Sequence, residues 1–101
     1  RGHSKAQNNL GVLFEGEKKW AEASRYYRLA AEQGYANASY NLGLLYEDGD
    51  GVERDLDEAK RWYARAAAKG HEPSIDALAH LDRKVKEADS ERVAADLLRD
   101  A

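Results

Sequence analysis

The sequence predicts an all-α fold: a right-handed α-solenoid of antiparallel helix pairs, with about two and a half repeats and a C-terminal capping helix. Three observations predict it. The first is an internal repeat, in which Leu10-Gly11 matches Leu42-Gly43, Phe14 matches Tyr46, Ala23 matches Ala59, Tyr27 matches Tyr63, Ala30-Ala31 matches Ala66-Ala67, and Gly34 matches Gly70. A unit of this size is one helix pair that cannot bury its apolar stripe alone, so copies stack to complete a shared core. The second is the helical period of the apolar residues within each unit, and the third is the glycine that closes each unit where a helix must end.

The elements follow in order. In the first unit, residues 4–35, Ala6, Leu10, Leu13 and Phe14 lie at helical spacing on a helix from Ser4 to Glu15, with Ser4 as its cap. After a short turn at Gly16, the residues Trp20, Ala23, Tyr27, Ala30 and Ala31 resume the period up to Gly34. Small residues at Gly11, Ala23 and Ala30, beside the aromatic Phe14, Tyr26 and Tyr27, let the two helices interdigitate closely. In the second unit, residues 36–71, helices are expected from Ala36 to Glu47 and from Leu56 to Lys69, with a longer loop, Asp48 to Arg54, between them. Asp55 reads as an N-cap that Glu58 completes as a capping box, and Val52 as an apolar anchor under the loop.

The third unit, residues 72–101, is partial. Pro73 suits a first helical turn, and Ile75, Leu78 and Leu81 continue the stripe, after which the repeated letters stop. Val85, Ala88, Val93, Leu97 and Leu98 are the apolar points of a charged tail. The tail reads either as a helix to Ala88 with a break at Asp89-Ser90 and a short final helix, or as one unbroken helix from Ser74.

The totals bound the function. A chain of 101 residues makes one domain that buries roughly 60 to 65% of its unfolded surface. Its net charge of -3, with acids and bases interspersed, lacks the basic field that nucleic acid or an anionic membrane calls for. With no cysteine there are neither disulfides nor thiolate metal sites, and no apolar run reaches membrane-spanning length. The chain starts at Arg1, and Gly2 precedes Ala6 by the interval that separates Gly34 from Ala38. A longer array cut within a preceding repeat is therefore expected, with tag residues as the alternative.

The string Leu42-Gly43-x-x-Tyr46, Gly49-x-Gly51-Val52-x-x-Asp55, Ala59-x-x-Trp62-Tyr63, Ala66-Ala67-x-x-Gly70 resembles the Sel-one-like repeat, a relative of the tetratricopeptide repeat. The first unit lacks the Gly-x-Gly-Val loop and has the tighter Gly11-to-Ala23 interval of the tetratricopeptide pattern. The resemblance implies an adaptor that binds a partner peptide or helix on the concave face lined by the first helix of each pair. The alternative is a structural or self-assembly module that docks repeats within a larger signalling or envelope complex. Partners implied are a protein or peptide, without nucleic acid and without membrane insertion, and self-association belongs to the alternative. The residues do not set the compartment; the resemblance leans toward a bacterial periplasm or envelope, with the cytoplasm as the other reading.

Carried onto this chain, the concave positions are Asn8, Asn9 and Val12, then Asn37, Tyr40, Asn41, Leu44 and Glu47, then Asp76 and His80, with Lys5, Glu15 and Arg83 beside them. Asn9 and Asn41 each precede Leu-Gly, where an amide can grip a peptide backbone or bond to a neighbouring helix. Val12, Tyr40 and Leu44 supply apolar groups for a groove floor, Leu44 doubling as a core candidate. Catalytic residues, cofactors and metals are not expected. There is no nucleophile with a base at recognisable spacing and no phosphate-binding glycine loop, and Ser4, Ser24, Ser39, Ser74 and Ser90 read as caps or surface. The acidic loop Asp48, Asp50, Glu53, Asp55 fails the spacing of a calcium loop, and the histidines do not cluster, with His3 and His71 expected to be exposed.

Overall fold

In a computed structural model the described residues of the chain form five α-helices: α1 (His3–Gly16), α2 (Trp20–Glu32), α3 (Ala36–Asp48), α4 (Leu56–Ala67) and α5 (Glu72–Asp100). The structure describes residues 3–100, and the side chains of 3–84 and 90–99. Arg1 and Gly2, on which the expected preceding repeat rests, lie outside them, as do the side chains of Val85 and Ala88. Helices α1 and α2 pack as one antiparallel pair and α3 and α4 as the next; α2 lies against α3 and α4 against α5. This is an α-solenoid.

Each complete pair is closed by the same contact. A Cβ added to Gly11 would stand 2.5 Å from the Tyr27 ring, and one added to Gly43 would stand 2.5 Å from the Tyr63 ring, so each ring occupies space that any other residue would need. The hydroxyls then reach one turn further along the facing helix: Tyr27 donates to Glu15 at 3.0 Å and Tyr63 to Glu47 at 2.8 Å. Around them, Ala23, Ala30, Ala31, Ala38, Leu42, Leu45 and Trp62 form one buried cluster that spans both units. Ala59, Tyr63 and Leu81 form a second cluster that joins unit two to α5.

The third unit cannot make this contact. Ala79 and Arg83 stand where Gly43 and Glu47 stand in unit two, and the position equivalent to Tyr63 falls on Arg99. With no glycine or proline after Pro73 and nothing to hold a returning helix, α5 runs unbroken through Asp89-Ser90, as the second reading of the tail has it. Residues 90–99 are exposed throughout, so this half of α5 does not cap the solenoid. Among the described residues the first turns of α5 do, through Ser74, Leu78 and Leu81.

Several expected core positions are displaced. Leu10 and Leu13 are 40% and 60% exposed, whereas Leu42 and Leu45, their equivalents, are buried. The stacked neighbour makes the difference: α2 covers α3, and no described element lies on that side of α1. Ile75 is 48% exposed: it occupies the position of Ser39, on the side of α3 that meets its own helix partner, and among the described residues no helix covers that side of α5. Ser74, the equivalent of Ala38, takes the buried place instead. Ser4, Ser24, Ser39 and Ser74 are thus interior residues, neither caps nor surface; Ser4 donates to Gln33 at 2.9 Å and Ser24 to the carbonyl of Ala21 at 2.9 Å.

The turns also differ in detail. Gly16 is still helical, and the chain reverses at Glu17–Lys19 with Lys18 at φ 60. In the longer loop of unit two, Val52 packs against the first cluster, and Gly51 lies against the backbone of Trp20, where a Cβ would collide with the carbonyl. Asp55 accepts the N–H of Glu58 at 3.1 Å, but the return arm of a capping box is absent. The N–H of Asp55 goes to the carbonyl of Tyr46 at 2.9 Å, and the Glu58 carboxylate takes Arg61 at 2.6 Å. Helix α4 ends at Ala67, two residues before Lys69, in a turn that closes at Gly70.

The closing contact sets a paired expectation. Gly43→Ala should lower the free energy of unfolding by about 2–3 kcal/mol, since the ring must move. Gly16→Ala, where a Cβ meets nothing within 4 Å, should leave stability unchanged or raise it by about 0.5–1 kcal/mol. Urea denaturation of both variants checks the opposite signs.

Candidate partner-binding groove

Tyr40, Leu44 and Glu47 are spaced by four and three residues, so they line one side of α3. Pro73, Asp76 and His80 do the same on α5, and the stacking of α4 under both helices brings the two rows face to face. Between them opens a groove of about 480 Å³, with Tyr63 and Ala77 completing its lining. Its floor is apolar and aromatic: the Tyr40 ring lies 5.8 Å from that of Tyr63 and 5.2 Å from that of His71.

Glu47 is the hinge of the arrangement. One carboxylate oxygen accepts from Tyr63 and the other pairs with Lys84 of α5 at 3.3 Å, which ties α3 to α5 at one end of the groove. At the other end His71 holds the two helices through both ring nitrogens, Nδ1 at 2.9 Å from the Ser74 hydroxyl and Nε2 at 2.9 Å from Asn37 Oδ1. His71 is accordingly half-buried, not exposed as its repeat position suggests. Asp76 and His80 are exposed, and no hydrogen bond or ion pair to either is found among the described residues.

Of the expected contact positions, the fold therefore gathers Tyr40, Leu44, Glu47, Asp76 and His80 in one place. Asn8 and Asn41 are drawn together elsewhere: Asn41 donates to Asn8 at 3.1 Å between α1 and α3, and Asn8 is buried. Asn8 is thus not an outward position, because the stacking of unit two on unit one closes over it. Glu15 is likewise committed to Tyr27. Asn9 and Val12 stay exposed on α1, away from the groove, and Asn37 faces His71. Sequence reasoning missed Tyr63, Pro73 and Ala77 as lining residues; the repeat match flagged Tyr63 only as core.

No group of three or more His, Asp or Glu that could hold a metal ion occurs among the described residues, and no described helix is long and apolar enough to cross a membrane. Burial pushes the Tyr63 hydroxyl well above its ordinary value, and the hydrogen bond and charge of Glu47 add to it. Tyr27 is raised in the same way by burial and by Glu15. A raised folded value means that this stabilisation is complete below about pH 10 and is lost as pH climbs beyond it. Each group should then cost up to about 1.4 kcal/mol per pH unit above that point. An alkaline series of thermal melts checks this, with Tyr27→Phe plus Tyr63→Phe expected to flatten the dependence.

The Sel1 repeat family matches residues 4–35 and 36–71. DAP3-binding cell death enhancer 1 of Rattus norvegicus is 43% identical over 82 residues, which are 79% of this chain and 16% of that protein. The ERAD-associated E3 ubiquitin-protein ligase component HRD3A of Arabidopsis thaliana is 33% identical over 82 residues, 80% of this chain and 12% of that protein. The chain thus spans a small part of the length of these relatives. A crystal structure of a Sel1 repeat protein from Oxalobacter formigenes superimposes with a TM-score of 0.72 at 35% identity, covering 77% of this chain and 34% of that one. The chain belongs to the Sel1 repeat family.

Proposed function

We propose that this chain is a non-catalytic protein-interaction module whose α3–α5 groove receives a peptide or helix of a partner protein. The observation that carries the reading is the convergence of Tyr40, Leu44, Asp76 and His80, from two stacked units, on one open groove. An apolar partner side chain would rest on Tyr40 and Leu44, and a basic one would meet the carboxylate of Asp76 at the rim. The names of the relatives support it in kind: one is described as binding another protein and one as a component of a ligase assembly.

Tyr40 and Leu44 are half-buried and packed against Ala59, Tyr63 and Leu81, so replacing them disturbs the core as well as the groove. Asp76 and His80 are the cleaner probes. A random peptide library displayed on phage and panned against the chain should enrich sequences that join an apolar residue to Lys or Arg. Their affinity should fall about tenfold for Asp76→Lys, a loss near 1.4 kcal/mol, while the melting temperature stays unchanged. Enriched peptides that bind Asp76→Lys and His80→Ala as well as the parent would place recognition elsewhere.

A further inference from the structure

In unit one two aromatic rings meet face to face: Phe14 of α1 and Tyr26 of α2 stack at 5.5 Å with their planes 13° apart. Their equivalents in unit two are Tyr46 and Trp62, and no stacking contact between these is found among the described residues. Instead the Arg28 guanidinium, reaching across from α2, lies 5.7 Å from the Tyr46 ring and 5.8 Å from the Trp62 ring, and donates to the Tyr46 hydroxyl. A second guanidinium, that of Arg65, lies 4.8 Å from the same Trp62 ring. One turn further along that side of α4, Lys69 donates to the carbonyl of Gly34 at the end of α2. Three cations thus border the seam between the two units.

Neither guanidinium is answered by a carboxylate. Arg28 is half-buried and Arg65 exposed, and no ion pair to either is found among the described residues. Two acids stand near: Glu32, exposed and one turn from Arg28, and Glu58, which is taken by Arg61. Arg25, one turn to the other side of Arg28, adds a further positive charge. The Trp62 ring also has an unmet donor, since the residue is 6% exposed and its indole N–H is buried without an acceptor among the described residues. An aromatic face attracts a guanidinium yet takes none of its in-plane N–H groups, so the donor fork stays open to an oxyanion.

We propose that this seam binds a phosphate monoester on a partner protein, a phosphorylated serine or threonine. Such a group carries nearly two negative charges and three acceptor oxygens, which match two guanidiniums and an amine; a carboxylate brings one charge. An anionic membrane calls for a broad basic field, whereas this is one spot on a chain of net charge -3. The seam is built on α2 and α4 and the groove on α3 and α5, so the site does not depend on the function proposed for the groove.

The chain has two tryptophans, so a proton–nitrogen correlation NMR spectrum shows two indole signals. The probe is a pool of peptides randomised around one phosphoserine. It should move the Trp62 signal further than that of Trp20, and the same pool with serine or glutamate at that position should not. Arg65→Gln, an exposed change, should weaken binding about tenfold or more with the helical signal kept. Arg28→Gln should do the same, Glu32→Gln should tighten binding about twofold, and Asp76→Lys in the groove should leave it unchanged. Equal binding of the phosphoserine and glutamate pools overturns the proposal, as does an Arg65→Gln variant that binds like the parent. Inorganic phosphate that binds where the peptides do not marks an adventitious ion only and overturns it too. Binding to vesicles containing a phosphoinositide, with none to the peptides, overturns it in favour of a lipid surface.

Discussion

Twice in this chain a tyrosine ring fills the space left by a missing side chain on the facing helix, Tyr27 over Gly11 and Tyr63 over Gly43, and ends its hydroxyl on a glutamate one turn away. Two points of attachment four residues apart fix both the closeness and the axial register of a helix pair. A larger residue at the glycine forces the helices apart, and loss of the glutamate leaves a buried hydroxyl without its acceptor. The rest of the structure depends on this contact. Where both residues recur the chain folds back, and where Ala79 and Arg83 replace them it does not.

The same contact reaches into the groove. Glu47 receives the Tyr63 hydroxyl on one oxygen and Lys84 on the other, so the group that closes unit two also sets where α5 lies. The junctions between units carry a second kind of polar link: Asn41 to Asn8 between α1 and α3, and Asn37 to His71 to Ser74 between α3 and the start of α5. Apolar stripes of alanine and leucine tolerate sliding, whereas a side-chain hydrogen bond such as that of Asn41 to the buried Asn8 is satisfied in one register only. The groove floor is thereby held by residues that also hold the units together. The lining side chains Tyr40 and Leu44 are correspondingly packed against the core, and the rim residues Asp76 and His80 are not.

The repeat, the helix pairs and the glycines that end them were legible in the sequence because each is a local signal. Helical period, small residues facing aromatic ones and a terminal glycine all act within one unit. The groove was legible in part: the resemblance pointed to Tyr40, Leu44, Glu47, Asp76 and His80 among the outward positions of successive first helices, and stacking brings these five to line one groove. Asn8 failed for a long-range reason, since its exposure is decided by Asn41, which is distant in sequence. Leu10 and Leu13 failed likewise. They read as core by periodicity, yet only a neighbouring helix can bury them, and Leu42 and Leu45 have one where they do not.

The tail shows where the division falls. Asp82 to Ala101 has no glycine and no proline, so the sequence by itself determined that no strong breaker stops a helix there, while a break at Asp89-Ser90 and an unbroken helix both stayed open until the structure carried α5 through. It determined the pairing of helices as well, through residues that act on their immediate partners. Only the tertiary structure decided which side of each helix meets a neighbour, and so which leucines are core, which serines are interior and which carboxylates line the groove. Burial is a property of what stands opposite, and periodicity along one helix does not contain it.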